Sequence, residues 1–146
     1  MTVASVVPLG TSAMLDAWEA VVVARNLPQA ATRLVHRFTP GLYIRELTVP
    51  AGVVVTTAIH KTEHPFVISK GEVSVYTEDA GWVRLAAPYT GITQAGTRRL
   101  AIVHQETTWT TFHVTDSTDP EEIEREVTEE YDHGWMARAL PPEDVG

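Results

Sequence analysis

The 146-residue chain has no cysteine. Disulfides, zinc–thiolate sites, iron–sulfur clusters and thiol nucleophiles are thereby excluded. Any metal must be held by His, Asp or Glu, and any covalent step must use a hydroxyl, an amine or a carboxylate. No apolar run approaches the ~20 residues that cross a bilayer, and the stretch from Met1 to Pro8 lacks the basic start of a secretory leader. The expectation is a soluble, cytoplasmic protein with no membrane partner. No glycine-rich loop cradles phosphate: Gly41, Gly52, Gly71, Gly81, Gly91 and Gly96 are spaced as turns. The serines form no nucleophile elbow, and no pair of carboxylates has a spacing suited to glycoside chemistry. Positive charge is also scarce, with 11 Lys and Arg against 19 Asp and Glu. An acidic surface repels phosphate backbones, so nucleic acid is not an expected partner. The excess is localised: eight acids from Asp119 to Asp132 stand beside the single base Arg125, a pattern expected of a solvated helix face.

What is present is a helix at each end of a run of short strands. Residues 12–26 place Leu15, Trp18 and Val22 at helical spacing, with Met14 and Val21 as further candidates for the buried stripe and Ser12 as a cap. Pro28 ends that helix, because the residue before a proline is pushed out of helical geometry. The period then drops to two. Strands are expected at 33–39, 42–49, 53–60, 65–69, 72–77, 82–86, 91–93, 97–104 and 107–114, rich in β-branched residues and separated by turn signals such as Pro40-Gly41 and Lys70-Gly71. Eight or nine strands with no helix between them imply a mainly β, antiparallel barrel or sandwich. Asp119-Pro120-Glu121 then opens a second helix reaching about Tyr131. The expected organisation is an N-terminal helical extension (1–28), a β-barrel (29–116) and an acidic C-terminal helix and tail (117–146). Trp135 and Met136 mark that tail as packed on the barrel or on a partner chain.

The stretch from His60 to Tyr76 carries the most chemistry: two histidines four apart, a short apolar run, a glycine and another alternating strand. On a straight strand His60 and His64 would lie ~13 Å apart, whereas a zinc ion needs imidazole nitrogens at about 2.0–2.1 Å. Shared ligation therefore requires the chain to turn at Lys61-Thr62-Glu63. A third ligand must come from His104, His113, Glu63 or Glu106. A two-histidine, one-carboxylate set suits iron, manganese or nickel. Without metal, the two histidines are polar residues at a barrel mouth. Of Arg98 and Arg99, only one can face the interior, since neighbours on a strand point to opposite faces. Trp82, Tyr89 and Trp109 are candidate pocket walls, and His113 shares a face with Trp109 and Thr111. His36 and His133 read as surface or packing residues.

These features resemble a cupin, a small jelly-roll barrel. The first cupin motif has the form His-x-His, three or four residues, Glu, six residues, Gly. Counted back from Gly71, the glutamate place falls on His64, the second histidine place on His60 and the first on Ala58. The second motif's best counterpart, Gln94-Ala95-Gly96, puts its histidine place on Arg99 and its asparagine place on Val103. The resemblance covers roughly residues 40–115. The segments around His60–Gly71 and Thr90–Arg99 also resemble uncharacterised cupin-like proteins of bacteriophage and prophage genomes, which implies a viral or prophage origin and residence in a host cytoplasm. Arg99 in a ligand place opposes a cation and favours an anion. The resemblance thus implies a non-catalytic module that binds a small, anionic molecule or a protein partner through Arg99, His60, His64, Trp109 and His113. Its alternatives are a metal-dependent enzyme holding a divalent ion (Fe, Mn, Ni or Zn) on His60, His64 and His104, and a structural or virion-associated protein. A homodimer is implied in each case.

Overall fold

A computed structural model of the chain describes residues 11–77, 80–128 and 135–141. The elements are α1 (Thr11–Ala24), β1 (Arg33–Thr39), β2 (Leu42–Val49), β3 (Val53–Thr56), β4 (His64–Thr77), β5 (Gly81–Ala86), β6 (Tyr89–Thr93), β7 (Leu100–Val114), α2 (Pro120–Val127) and β8 (Met136–Ala139). All strand pairs are antiparallel. The expected mainly β, antiparallel architecture with an N-terminal helix is what the chain adopts.

β7 is the spine of one curled sheet. Its C-terminal half pairs with β2 and its N-terminal half with β3, while its other edge pairs with β4 along most of its length. The far edge of β4 is shared in the same way, by β6 near His64 and by β5 near Tyr76. β1 continues the sheet beyond β2, and β8 continues it beyond β3.

Two expected turns are instead points where long strands bend. Lys70-Gly71 lies inside β4 and Gln105-Glu106 inside β7, and the β4–β7 register slips between Ile68 and Val73. Gly71 has φ +96°, and a Cβ there would collide with the backbone of Glu106 and Thr107. A glycine can turn the strand at that angle while its neighbours keep their ladder, which is a bulge rather than a chain reversal. The slip bends both strands at this point.

The interior cluster includes Leu47, Val49, Phe66, Ile68, Val73 and Val103. β3 is buried on both faces: Val53 and Val55 point inward, and Val54 points outward beneath α1. α1 seats Leu15, Trp18 and Val22 on Val54 and Leu100, while Val21 and Val23 face solvent. The same helix delivers Glu19, which is 2% exposed, to the 1% exposed Arg98 at 2.7 Å, and Thr56 Oγ1 also donates to Glu19. Arg98 donates further to Asp16 and to the Thr57 carbonyl, each at 2.7 Å.

α2 starts with Asp119 accepting from the Glu121 amide and with Pro120 in its first turn. It ends at Val127, short of the expected Tyr131, because Thr128 is extended. Residues 129–134, including His133, lie outside the described residues. The acids of α2 are exposed as expected, while Ile123 and Val127 pack against Tyr43 and Phe38 at one end of the barrel. The tail, where no strand was expected, supplies β8. Trp135 packs on the interior cluster, so the tail packs on its own barrel. No helix among the described residues is long and apolar enough to cross a membrane.

Candidate functional site

Cross-strand pairing sets the site as two rows of side chains. In the first row His64 pairs with Thr93 of β6, and His113 of β7 pairs with Tyr43 of β2. In the second row Gly91, Phe66, Thr111, Arg45 and His36 follow one another across β6, β4, β7, β2 and β1. The β4–β7 pairing brings His64 beside His113, with ring centroids 4.4 Å apart. His60 arrives from outside the sheet. After β3 the chain leaves the ladder and bends at Lys61-Thr62. It is clipped there by Gly96 N–H donating to the His60 carbonyl (2.8 Å) and by Lys61 N–H donating to the Val127 carbonyl at the end of α2 (2.7 Å). The His60 ring then lies 4.6 Å from His64 and stacks on His113 at 5.9 Å.

One potential ligand nitrogen from each of these three histidines falls within 4.8 Å of the others. Nitrogens sharing a tetrahedral ion sit about 3.3 Å apart, so ring movements of about 1 Å would bring them onto one metal. Their hydrogen bonds suit that role. His64 Nδ1 lies 3.1 Å from the Thr62 carbonyl, and His60 bonds to the Ala58 backbone, so each ring keeps its second nitrogen. A histidine ligand usually donates its other N–H to such a carbonyl. His113 Nε2 is 3.1 Å from Thr111 Oγ1, and its buried Nδ1 has no hydrogen-bond partner among the described residues. A buried polar atom left without a partner is costly, and coordination would satisfy it.

Burial also keeps the three rings neutral. Desolvation, reinforced by His64, Arg45 and Arg99, lowers the His60 pKa to about 4. Desolvation, reinforced by His64, His60 and Arg45, lowers that of His113 to about 3. His64 is lowered as well, chiefly by desolvation and also by Arg99, against the opposing Thr62 bond. Neutral imidazole is the ligand form.

A cavity of about 320 Å³ opens over the cluster. Trp109, Leu47 and Val103 line its depth, and Tyr43 and α2 its side. Arg99 enters it, donating to Thr93 Oγ1 at 2.7 Å, with its guanidinium 5.0 Å from the Phe66 ring centre and 5.7 Å from that of Trp109. Arg98 takes the opposite direction into the α1 network. Arg99 is thus the interior member of the pair, as expected.

The structure brings together His60, His64, His113, Arg99 and Trp109. It does not bring His104 to them. Val103 faces the cavity, so strand alternation turns His104 to the other face, where its Nε2 lies 2.7 Å from Ser74 Oγ. The third histidine of the cluster is His113. Glu63 is exposed, and Glu106 pairs with Lys70 on the surface at 2.5 Å. Trp82 is 53% exposed against Tyr76, and Tyr89 is 39% exposed beside Phe66, so neither lines the cavity. His36, read as a surface or packing residue, is exposed and reaches the cavity edge, with Nδ1 2.5 Å from the Tyr43 hydroxyl. Sequence reasoning missed Tyr43, Arg45 and the α2 wall. The signal for the first two was the alternation of Tyr43, Arg45 and Leu47 on one face of β2.

No protein-family model matches the chain, and no curated protein matches it in sequence. Solved structures do. Ectoine synthase from P. lautus superposes with a TM-score of 0.59 at 8% identity, over 79% of this chain and 81% of that one. A cupin superfamily protein from Desulfitobacterium hafniense gives 0.50 at 11% identity, over 60% and 81%. Salicylate 1,2-dioxygenase from Pseudoaminobacter salicylatoxidans gives 0.50 at 10% identity, over 66% of this chain and 31% of that one. At these identities the likeness is one of fold, and the fold is cupin-like.

Proposed function

We propose that this chain is a metal-dependent enzyme of cupin fold, which holds one divalent first-row ion on His60, His64 and His113 and acts on a small anionic molecule in the cavity above it. The observation that carries this reading is the convergence of three neutral imidazoles, two buried and one half-buried, one with an orphaned ring nitrogen, in the wall of a ligand-sized cavity. Three protein ligands leave positions free for a substrate, the arrangement of catalytic rather than structural sites. A bound ion would supply Lewis acidity, or redox chemistry if it is iron or manganese. The residues around it bind and orient. Arg99, held by Thr93, offers its fork to a carboxylate. Trp109 and the interior valines exclude water and strengthen that pairing. Two of the structural neighbours are a synthase and a dioxygenase, which supports an enzyme without fixing its reaction.

The second reading is a binding module without catalysis. It is favoured by the seating of Arg99 against the stacked Phe66–Trp109 pair, which fixes a cation in place as a receptor would. Phage origin and pairing of two copies belong to this reading as further proposals.

The test is metal content. Protein purified without chelator, then stripped and reloaded in turn with Fe, Mn, Ni and Zn, should bind about one ion per chain. His104→Ala should keep that stoichiometry, while His60→Ala, His64→Ala and His113→Ala should each lose it. A wild-type chain that takes up none of the four ions overturns the proposal, as does a His113→Ala chain that loads fully.

A further inference from the structure

A second cation faces the cavity, and the function proposed above does not use it. Arg45 lies in the row Phe66–Thr111–Arg45, on the strand beyond β7. Its guanidinium carbon is 5.3 Å from the centre of the Trp135 ring. Arg99 covers Phe66 at the other end of this row. Phe66 and Arg45 are two strands apart, a span of roughly 10 Å between backbones at ~4.8 Å per strand. The histidine cluster lies in the next row of the same face, near both cations: His64 is two residues from Phe66 on β4, and His113 is two residues from Thr111 on β7.

Neither arginine has a carboxylate within ion-pair distance among the described residues. Arg37, Arg84 and Arg98 are matched to Glu46, Glu72 and the Asp16–Glu19 pair. Arg99 has a hydroxyl and two aromatic faces. Arg45 has the face of Trp135, and Glu124 on the exposed side of α2 acts on it only from beyond 4.0 Å. Glu121 and Glu124 both line the cavity from α2, and both are exposed. Two part-buried guanidiniums with no carboxylate bonded to them, in a cavity walled mainly by apolar side chains, make a cost that a ligand carrying two negative groups would remove.

Resting on the proposed ligand site, we infer that the cavity recognises short dicarboxylates: one carboxylate engages Arg99, the other Arg45, and the carbon chain between them crosses the face of the histidine cluster. Guanidinium is the side chain that matches carboxylate geometry bidentately, and the 320 Å³ of the cavity limits the ligand to a small molecule.

Calorimetric titration tests this with succinate, glutarate and phthalate against butyrate and benzoate, on both chelator-stripped and metal-loaded protein. At least one diacid should bind on the order of ten- to a hundredfold more tightly than its monoacid counterpart, the value of one extra charge-assisted contact. Arg45→Gln and Arg99→Gln should each reduce that diacid to monoacid affinity, and Arg45→Lys should fall between. Diacid and monoacid binding equally to the wild type overturns the inference, and this comparison needs no variant to fold. A preference that survives Arg45→Gln overturns it too. The stripped arm separates the two proposals: a diacid preference in protein that takes up no metal sinks the metal reading alone, and a loaded protein without the preference sinks this inference alone.

Discussion

Lowering the pH should destabilise the metal-free protein before its carboxylates are titrated. In the unfolded chain His60 and His113 have ordinary pKa values near ~6.5, whereas burial brings them to about 4 and about 3 in the fold. Because the folded values are the lower ones, their stabilising contribution is complete above pH ~6.5 and drains away as pH falls toward about 4 and about 3. At pH 5 the unfolded chain holds nearly a full proton at each site and the folded chain almost none. Each histidine then costs about 2 kcal/mol relative to neutral pH, and the two together about 4 kcal/mol. His64, shifted in the same direction, adds to this. Against a total stability of ~5–15 kcal/mol, that is a large fraction. The assay is urea unfolding of chelator-stripped protein at pH 7.5 and 5.0. With a slope of ~2 kcal/mol per molar, the midpoint should fall by about 2 M. His60→Asn/His113→Asn should lose most of that dependence, whatever its absolute stability. Equal midpoints at the two pH values would refute the reasoning, as would an undiminished dependence in the double variant.

Two further outcomes follow from packing. Glu19→Ala strips the buried Arg98 of its fully buried partner; loss of one member of such a pair costs about 3–5 kcal/mol, so the melting temperature should drop by roughly 10 °C or more, and Glu19→Gln should lose less. Gly71→Ala puts a Cβ against the Glu106–Thr107 backbone at positive φ; with ~1–2 kcal/mol for the left-handed conformation alone and the collision added, the midpoint of chemical unfolding should fall by more than any surface Gly→Ala change, Gly41→Ala being the control because nothing lies near its missing Cβ.

Much of the barrel was legible because period two and turn chemistry are local. β1 and β2 match their expected ranges residue for residue. Where the expectation broke, long-range pairing had overridden a local signal. Gly71 looks like a reversal, yet the neighbouring strand carries the ladder past it. Met136–Ala139 has no pattern of its own and becomes a strand because β3 has an open edge to fill. The site divides in the same way. His60 and His64 were readable from spacing, and Arg99 from alternation. The choice between His104 and His113 needed the β4–β7 register, which one sequence does not contain. Arg45 was overlooked because on β2 it reads as an ordinary charged residue, although it alternates with Tyr43 and Leu47 on the face that lines the cavity.

β8 also bears on how the chain is made. The segment it covers, Val53-Val54-Val55-Thr56, is β-branched throughout and buried on both faces. Uncovered, its unpaired amides and carbonyls would be a template for any passing strand. About eighty residues separate β3 from β8, and synthesis proceeds at ~5–20 residues per second, so during every round of translation that sticky edge precedes its cover by several seconds. A chain cut short before Met136 would carry the exposed edge permanently, leaving self-association as the open route to satisfying it.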